Sequence, residues 1–189
     1  MKRIFLIVGI SLLLLSVFFV VSGTREIKYS FIEIEKGSIS ERVYAEKSKL
    51  VGDIVYAQNT ILSFDSNKLG KIEIEAQKSV YNLRSGIIEI SGNIKLKARD
   101  LYAETDKAKI FVEDKTVKKI EGYGNVKVQT NGRTIKSEKA EIFPQEKMII
   151  FTGNPVIQQK GLQIQGKTIK IFLDSDIVEV DETKARMEK

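Results

Sequence analysis

The sequence predicts an all-β chain: a stack, sandwich or jelly roll of repeated short antiparallel strands behind one N-terminal membrane-spanning helix. Three observations carry that expectation. Beyond residue 23 no window of a dozen residues shows a helical apolar stripe, whereas segments such as Lys71-Ile72-Glu73-Ile74-Glu75-Ala76 alternate with the period of a strand. Turn residues punctuate the chain at Asp65-Ser66-Asn67, Asn82, Ser85-Gly86, Glu113-Asp114-Lys115, Asn131-Gly132 and Pro144-Gln145. A unit recurs every 28 to 32 residues, and each copy is long enough for two or three strands.

The chain opens on Met1-Lys2-Arg3 and an uncharged run of 18 residues, Ile4 to Val21. As a helix that run reaches about 27 Å, close to the thickness of a hydrocarbon core. Its cations lie on the N-terminal side, which places that end in the cytoplasm and the remainder across the membrane. A cleaved signal peptide competes with this reading, because Val21-Ser22-Gly23 offers small residues to a peptidase. Signal peptides usually have shorter apolar regions of about 7 to 15 residues, so an uncleaved anchor is favoured. Residues 1–23 are read as the anchor, 24–36 as a linker running into a weak first strand, 37–183 as the β-domain and 184–189 as a charged tail.

The repeat is clearest at three Gly-Asn pairs, Gly92-Asn93, Gly124-Asn125 and Gly153-Asn154, the last followed by Pro155. With Gly161 and Gly166 they are expected to form the turns or bulges at the corners of each unit. Upstream of each pair, by 14 to 17 residues, stands a second element: Lys78-Ser79, Lys107-Ala108 and Lys139-Ala140. Weaker copies start at Lys47-Ser48 and Lys167-Thr168.

Composition narrows the chemistry. The 189 residues include no histidine and no cysteine. The commonest general base, thiolate nucleophiles and thiolate metal sites are therefore excluded. Carboxylates at i and i+2, such as Glu73/Glu75, Asp174/Asp176 and Glu179/Asp181, share one face of a strand. Glycosidase carboxylates come from different elements flanking a cleft, so a solvated face explains these better. Gly122-Tyr123-Gly124-Asn125 lacks the lysine and the helix of a phosphate loop. No enzyme activity and no cofactor are expected. Nucleic acid is not an expected partner either, despite a net charge of +6, because the aromatic residues sit within apolar runs instead of among the cations.

What remains is a recurring apolar face. Ile72, Ile74, Ile88, Ile90, Ile94, Leu96, Val126, Val128, Ile149 and Phe151 recur in register and line one continuous interior. A closed core and a groove that admits acyl chains have the same pattern. With no Trp to plug it, such an interior could stay partly open along its length.

Several short stretches resemble one family. The anchor, Tyr44-Ala45, Ile74-Glu75-Ala76, Ile90-Ser91-Gly92-Asn93-Ile94, Phe151-Thr152-Gly153 and Gly161-Leu162-Gln163-Ile164-Gln165-Gly166 resemble the bitopic lipopolysaccharide export proteins of the LptC type. The Gly-Asn-Pro unit with Lys139-Ala140-Glu141-Ile142 is similar to repeats of the related LptA/OstA-like proteins. The resemblance implies an open, bent β-jelly roll in the periplasm of a Gram-negative-type bacterium, held at the inner membrane by a single span. Its ligand would be lipopolysaccharide, with acyl chains in the apolar interior and phosphates near rim lysines such as Lys95, Lys97 and Lys127. The implied partners are the inner-membrane permease subunits of the ABC exporter, against which the anchor packs and whose β-domain the N-terminal edge extends. The C-terminal edge would pair with a periplasmic bridge protein. A soluble bridge, or a tethered repeat protein that carries no lipid, are the alternatives.

Overall fold

The structure is a computed structural model that describes residues 25–35, 40–114, 116–175 and 177–187. The anchor expected over residues 4–21 lies outside the described residues. Among the described residues no helix is long and apolar enough to cross a membrane.

Fourteen strands are described: β1 (Arg25–Glu35), β2 (Ser40–Val51), β3 (Ile54–Ser66), β4 (Gly70–Asn82), β5 (Ile87–Ala98), β6 (Leu101–Glu113) and β7 (Thr116–Thr130). They continue with β8 (Arg133–Phe143), β9 (Met148–Thr152), β10 (Val156–Gln159), β11 (Leu162–Gln165), β12 (Thr168–Phe172), β13 (Val178–Asp181) and β14 (Lys184–Met187). From β1 to β8 each strand pairs antiparallel with the next. The second half of β8 pairs with β9 and its first half with β10. β12 follows β9 and β11 follows β10, and β13 and β14 close the two halves of the far edge.

Two expectations are corrected at the ends. Residues 25–35, expected to be a linker running into a weak strand from Tyr29, pair with β2 from Arg25↔Leu50 to Glu35↔Ser40. Residues 184–187, expected to be tail, pair with β11. The strands are also longer than expected, 11 to 15 residues from β1 to β8. At Gly92-Asn93 and Gly124-Asn125 the expected turn or bulge is a bulge, which bends a strand without ending its pairing.

These bends line up. Register shifts fall between Glu75 and Lys78 of β4, between Ser91 and Ile94 of β5, between Glu104 and Lys107 of β6 and between Tyr123 and Val126 of β7. The same line passes Glu46 and Asn59, which the pairing of β2 with β3 skips. At the far end it becomes an outright break, at Gly153-Asn154-Pro155 between β9 and β10 and at Gly166-Lys167 between β11 and β12. Residues from both sides of this crease join one buried cluster, so the sheet folds along it into two facing layers. The turns then form two free rims. The first holds the β2–β3, β4–β5, β6–β7, β8–β9 and β12–β13 connections, laced by Leu83 N–H donating to Asp53 O, Val112 N–H to Gly86 O and Leu173 N–H to Lys147 O. The β1 edge and the β13/β14 edge are unpaired among the described residues. The sheet is thus an open, folded jelly roll and not a closed barrel.

Candidate functional site: an apolar interior and its crease

All ten residues expected to line the interior do so, each at most 3% exposed. They meet in one cluster that runs on through Ile135, Ile142, Ile157, Ile169 and Ile171. The expectation of a partly open groove is corrected here. The gap bordered by Ile74, Ile90, Ile94, Val126 and Val128 is only about 30 Å³. That is room for a water molecule or so, not for an acyl chain. The gap has a local cause. Ile90 and Phe151 stand two residues before their Gly-Asn pairs, but the equivalent position in β7 is Gly122. Its cross-strand neighbours are Ala108 and Ala140, so three adjacent strands contribute little volume at that level.

The crease is a repeated construction. Asn93, Asn125 and Asn154 adopt positive φ (46°, 47° and 53°), as do the glycines before them (83°, 75° and 75°). Glycine tolerates that conformation best, and asparagine is among the few side chains that visit it. The Asn125 amide donates to Asp106 Oδ2 at 2.8 Å, the Asn154 amide to Glu138 Oε1 at 3.5 Å, and Asn59, a corner without its glycine, to Glu46 Oε2. The same acidic or amide side chains fill the space beside each glycine. A Cβ on Gly92 would fall 2.4 Å from Gln77 Oε1, and one on Gly153 would fall 2.6 Å from Glu138 Cβ. Glu46, Gln77, Asp106 and Glu138 each directly precede a Lys-Ser or Lys-Ala element. They were missed as crease partners because an isolated surface carboxylate has no pattern of its own; the spacing to the Gly-Asn pair was the available signal. Gly161 closes the β10–β11 hairpin with Lys160, and Gly166 donates its N–H to Pro155 O at 3.3 Å where β11 gives way to β12.

The outer faces carry ion pairs both within and between strands. Glu73 is held by Lys71 at 2.8 Å and Glu75 by Lys97 at 3.5 Å. Glu179 meets Lys170 at 3.2 Å and Asp174 meets Lys147 at 3.7 Å. These carboxylates face their own lysines and not a shared cleft. Of the lysines expected at a phosphate-contacting rim, Lys97 is engaged with Glu75 and Lys127 lies 3.8 Å from Glu104. The densest group lies on β7 and β8. Glu121 accepts from the Tyr123 hydroxyl and pairs with Lys119, while Lys139 bonds Glu141 at 2.9 Å and lies over the Tyr123 ring. Burial opposes the Glu121 charge, but the Lys119 and Tyr123 hydrogen bonds and the nearby cations outweigh it and hold the carboxyl below its ordinary value. The Tyr123 phenol, bonded to that carboxylate and partly desolvated, is pushed up to about 12. Among the described residues no group of three or more carboxylates could hold a metal ion.

Comparison with known proteins gives two likenesses. Residues 73–177, more than half of the chain, match the family described as LptA/(LptD N-terminal domain) LPS transport protein. Comparison with curated proteins finds no match. Among solved structures the chain is similar to that of LptH, the LptA-homologous periplasmic component of the lipopolysaccharide transport device of Pseudomonas aeruginosa, at 10% identity and a TM-score of 0.59. The alignment covers 66% of this chain and 99% of that one. At so low an identity the structural likeness speaks for the fold alone.

Proposed function

Because the chain belongs to the LptA/LptD N-terminal-domain family of lipopolysaccharide transport proteins, we propose that it carries lipopolysaccharide along the apolar seam between its two layers. The observation that supports this is the seam itself: a run of buried isoleucines, valines and phenylalanine that passes beneath nearly every strand and has a sheet edge at each end. Each methylene sheltered there is worth about 0.8 kcal/mol. With a gap of about 30 Å³ the layers must part to admit a chain, so acyl contacts replace core contacts of the same kind. That exchange keeps the net affinity low enough for cargo to move on.

Within this reading the chain is an LptC-like adaptor, anchored by residues 4–21, with β1 extending a permease β-domain and β13/β14 meeting the bridge by edge pairing. Photo-crosslinkers at Ile74, Ile90 and Phe151 in the full chain, assembled with the exporter, are expected to capture lipopolysaccharide. Silence at all three, with capture at the outward-facing Lys95, would sink the carrier reading. The LptA-like family match and the fold shared with LptH favour a second reading, a soluble bridge with its leader removed. Mass spectrometry of the native protein decides between them: an intact Met1 end supports the anchor, and a mature start near Thr24 supports the bridge.

A further inference from the structure

The end of the first rim from which β1 starts gathers three exposed aliphatic side chains. Leu50 and Val51 at the β2–β3 turn are 48% and 45% exposed, and Leu83 at the adjoining β4–β5 turn is 45% exposed. The Asp53–Leu83 backbone hydrogen bond holds the two turns together. Behind them, on the outer face of β2, β3 and β4, a cleft of about 430 Å³ is bordered by Lys47, Lys49, Lys78 and the half-exposed Tyr56. Lys47, Lys49 and Lys78 line one outward-facing cleft, whereas the outer-face lysines Lys97, Lys109 and Lys170 sit against Glu75, Glu89 and Glu179. Farther along the same rim the charges are mixed, with Glu113, Asp114 and Lys115 at the β6–β7 connection, Glu146 and Lys147 at β8–β9 and Asp174 at β12–β13.

Aliphatic tips, a tyrosine and long cationic side chains are the combination that settles at the level of lipid headgroups. The path of the chain brings this corner there. Arg25, the first residue of β1, pairs with Leu50, and Glu26 pairs with Lys49. The apolar run ends at Val21, so at most about 14 Å of chain separates it from Arg25.

We propose that this corner of the domain, Leu50, Val51 and Leu83 with Lys47, Lys49 and Lys78, rests on the surface of an anionic bilayer. The β1 edge beside this corner stays free for edge pairing, and the β13/β14 edge lies at the opposite end of the sheet. The proposal rests on the anchored reading above, and its test separates the two. The chain contains no tryptophan, so a single introduced one is an unambiguous depth reporter. The full chain carrying Val51→Trp is reconstituted into vesicles of brominated phosphatidylcholine, with or without phosphatidylglycerol, and floated before fluorescence is read. Strong quenching is expected in the floated anionic vesicles and little in neutral ones. Replacing Lys47, Lys49 and Lys78 together by Gln is expected to lower the docked-to-undocked ratio about a hundredfold, and high salt to act in the same direction. Ile177→Trp, at the far end of the rim, is expected to stay unquenched. Floated protein whose Val51→Trp reporter is unquenched, equally quenched in neutral vesicles, or indifferent to the lysine replacements overturns the docking alone. Protein that fails to float overturns the anchor and the docking with it.

Discussion

Each crease glycine is constrained by its φ and by the side chain lying against it, and the two constraints predict an order of effects. Gly124→Ala puts a Cβ at φ 75°, which costs about 1–2 kcal/mol, and brings it 2.9 Å from Asp106 Oδ2, the mobile end of a side chain. Gly153→Ala has the same φ, but its Cβ meets Glu138 Cβ at 2.6 Å, an atom fixed to the backbone. Urea denaturation should therefore rank Gly153→Ala as the more damaging. Gly122→Ala should behave oppositely. Its Cβ has Thr105 Cγ2 at an ordinary 3.5 Å and borders the interior gap, so a gain of up to about 1 kcal/mol is expected. Loss of stability in that variant would show that the gap is not free to be filled.

At the scale of elements, the ladder on β7 and β8 makes stability fall at both pH extremes. Glu121 has its folded pKa depressed, so its contribution is present above the ordinary carboxylate range and lost as pH falls through the lowered folded value. Tyr123 has its folded pKa raised to about 12, so its contribution is present below the ordinary phenol value of about 10 and lost as pH rises toward 12. Glu121→Gln should flatten the acid limb of a thermal-stability profile. It should also move the Tyr123 titration, followed by phenolate absorbance, back toward its ordinary value; an unmoved midpoint would disprove the coupling. The same strands show what could be read without coordinates. Alternation in β4, β5 and β7 and the Asn131-Gly132 turn were plain from residue types. The extent of the strands was not, because Gly92-Asn93 and Gly124-Asn125 fit a turn as well as a bulge. On β4 the inward set also changes parity at the crease, from Ile72, Ile74 and Ala76 to Ser79, which breaks a strict period-two count. Only the later part of β1 was read as a weak strand, because its alternation begins at Tyr29, although its pairing begins at Arg25.

At the scale of the whole molecule, the lining of the interior was evident but its closure was not. Closure depends on which alanine faces which isoleucine across the fold, and no one-dimensional pattern records that. That Ile74 and Ile90 border so small a gap therefore bears on function directly. A disulfide engineered across the layers to hold them together should abolish lipopolysaccharide capture at Ile74 and Ile90, and reduction should restore it. Capture that persists in the oxidised protein would mean that cargo travels outside the seam.

The far edge has one more consequence. Its outermost strand is delivered as two pieces, β13 and β14, set on either side of a corner at Glu182 and Thr183, where Lys167 grips Glu182 at 3.1 Å. A straight peptide can zip onto one piece and then runs off into solvent. A newcomer that covers both must itself be hinged at the same level. The geometry therefore screens visitors by shape before any side chain is consulted, and it shields an exposed edge from promiscuous aggregation.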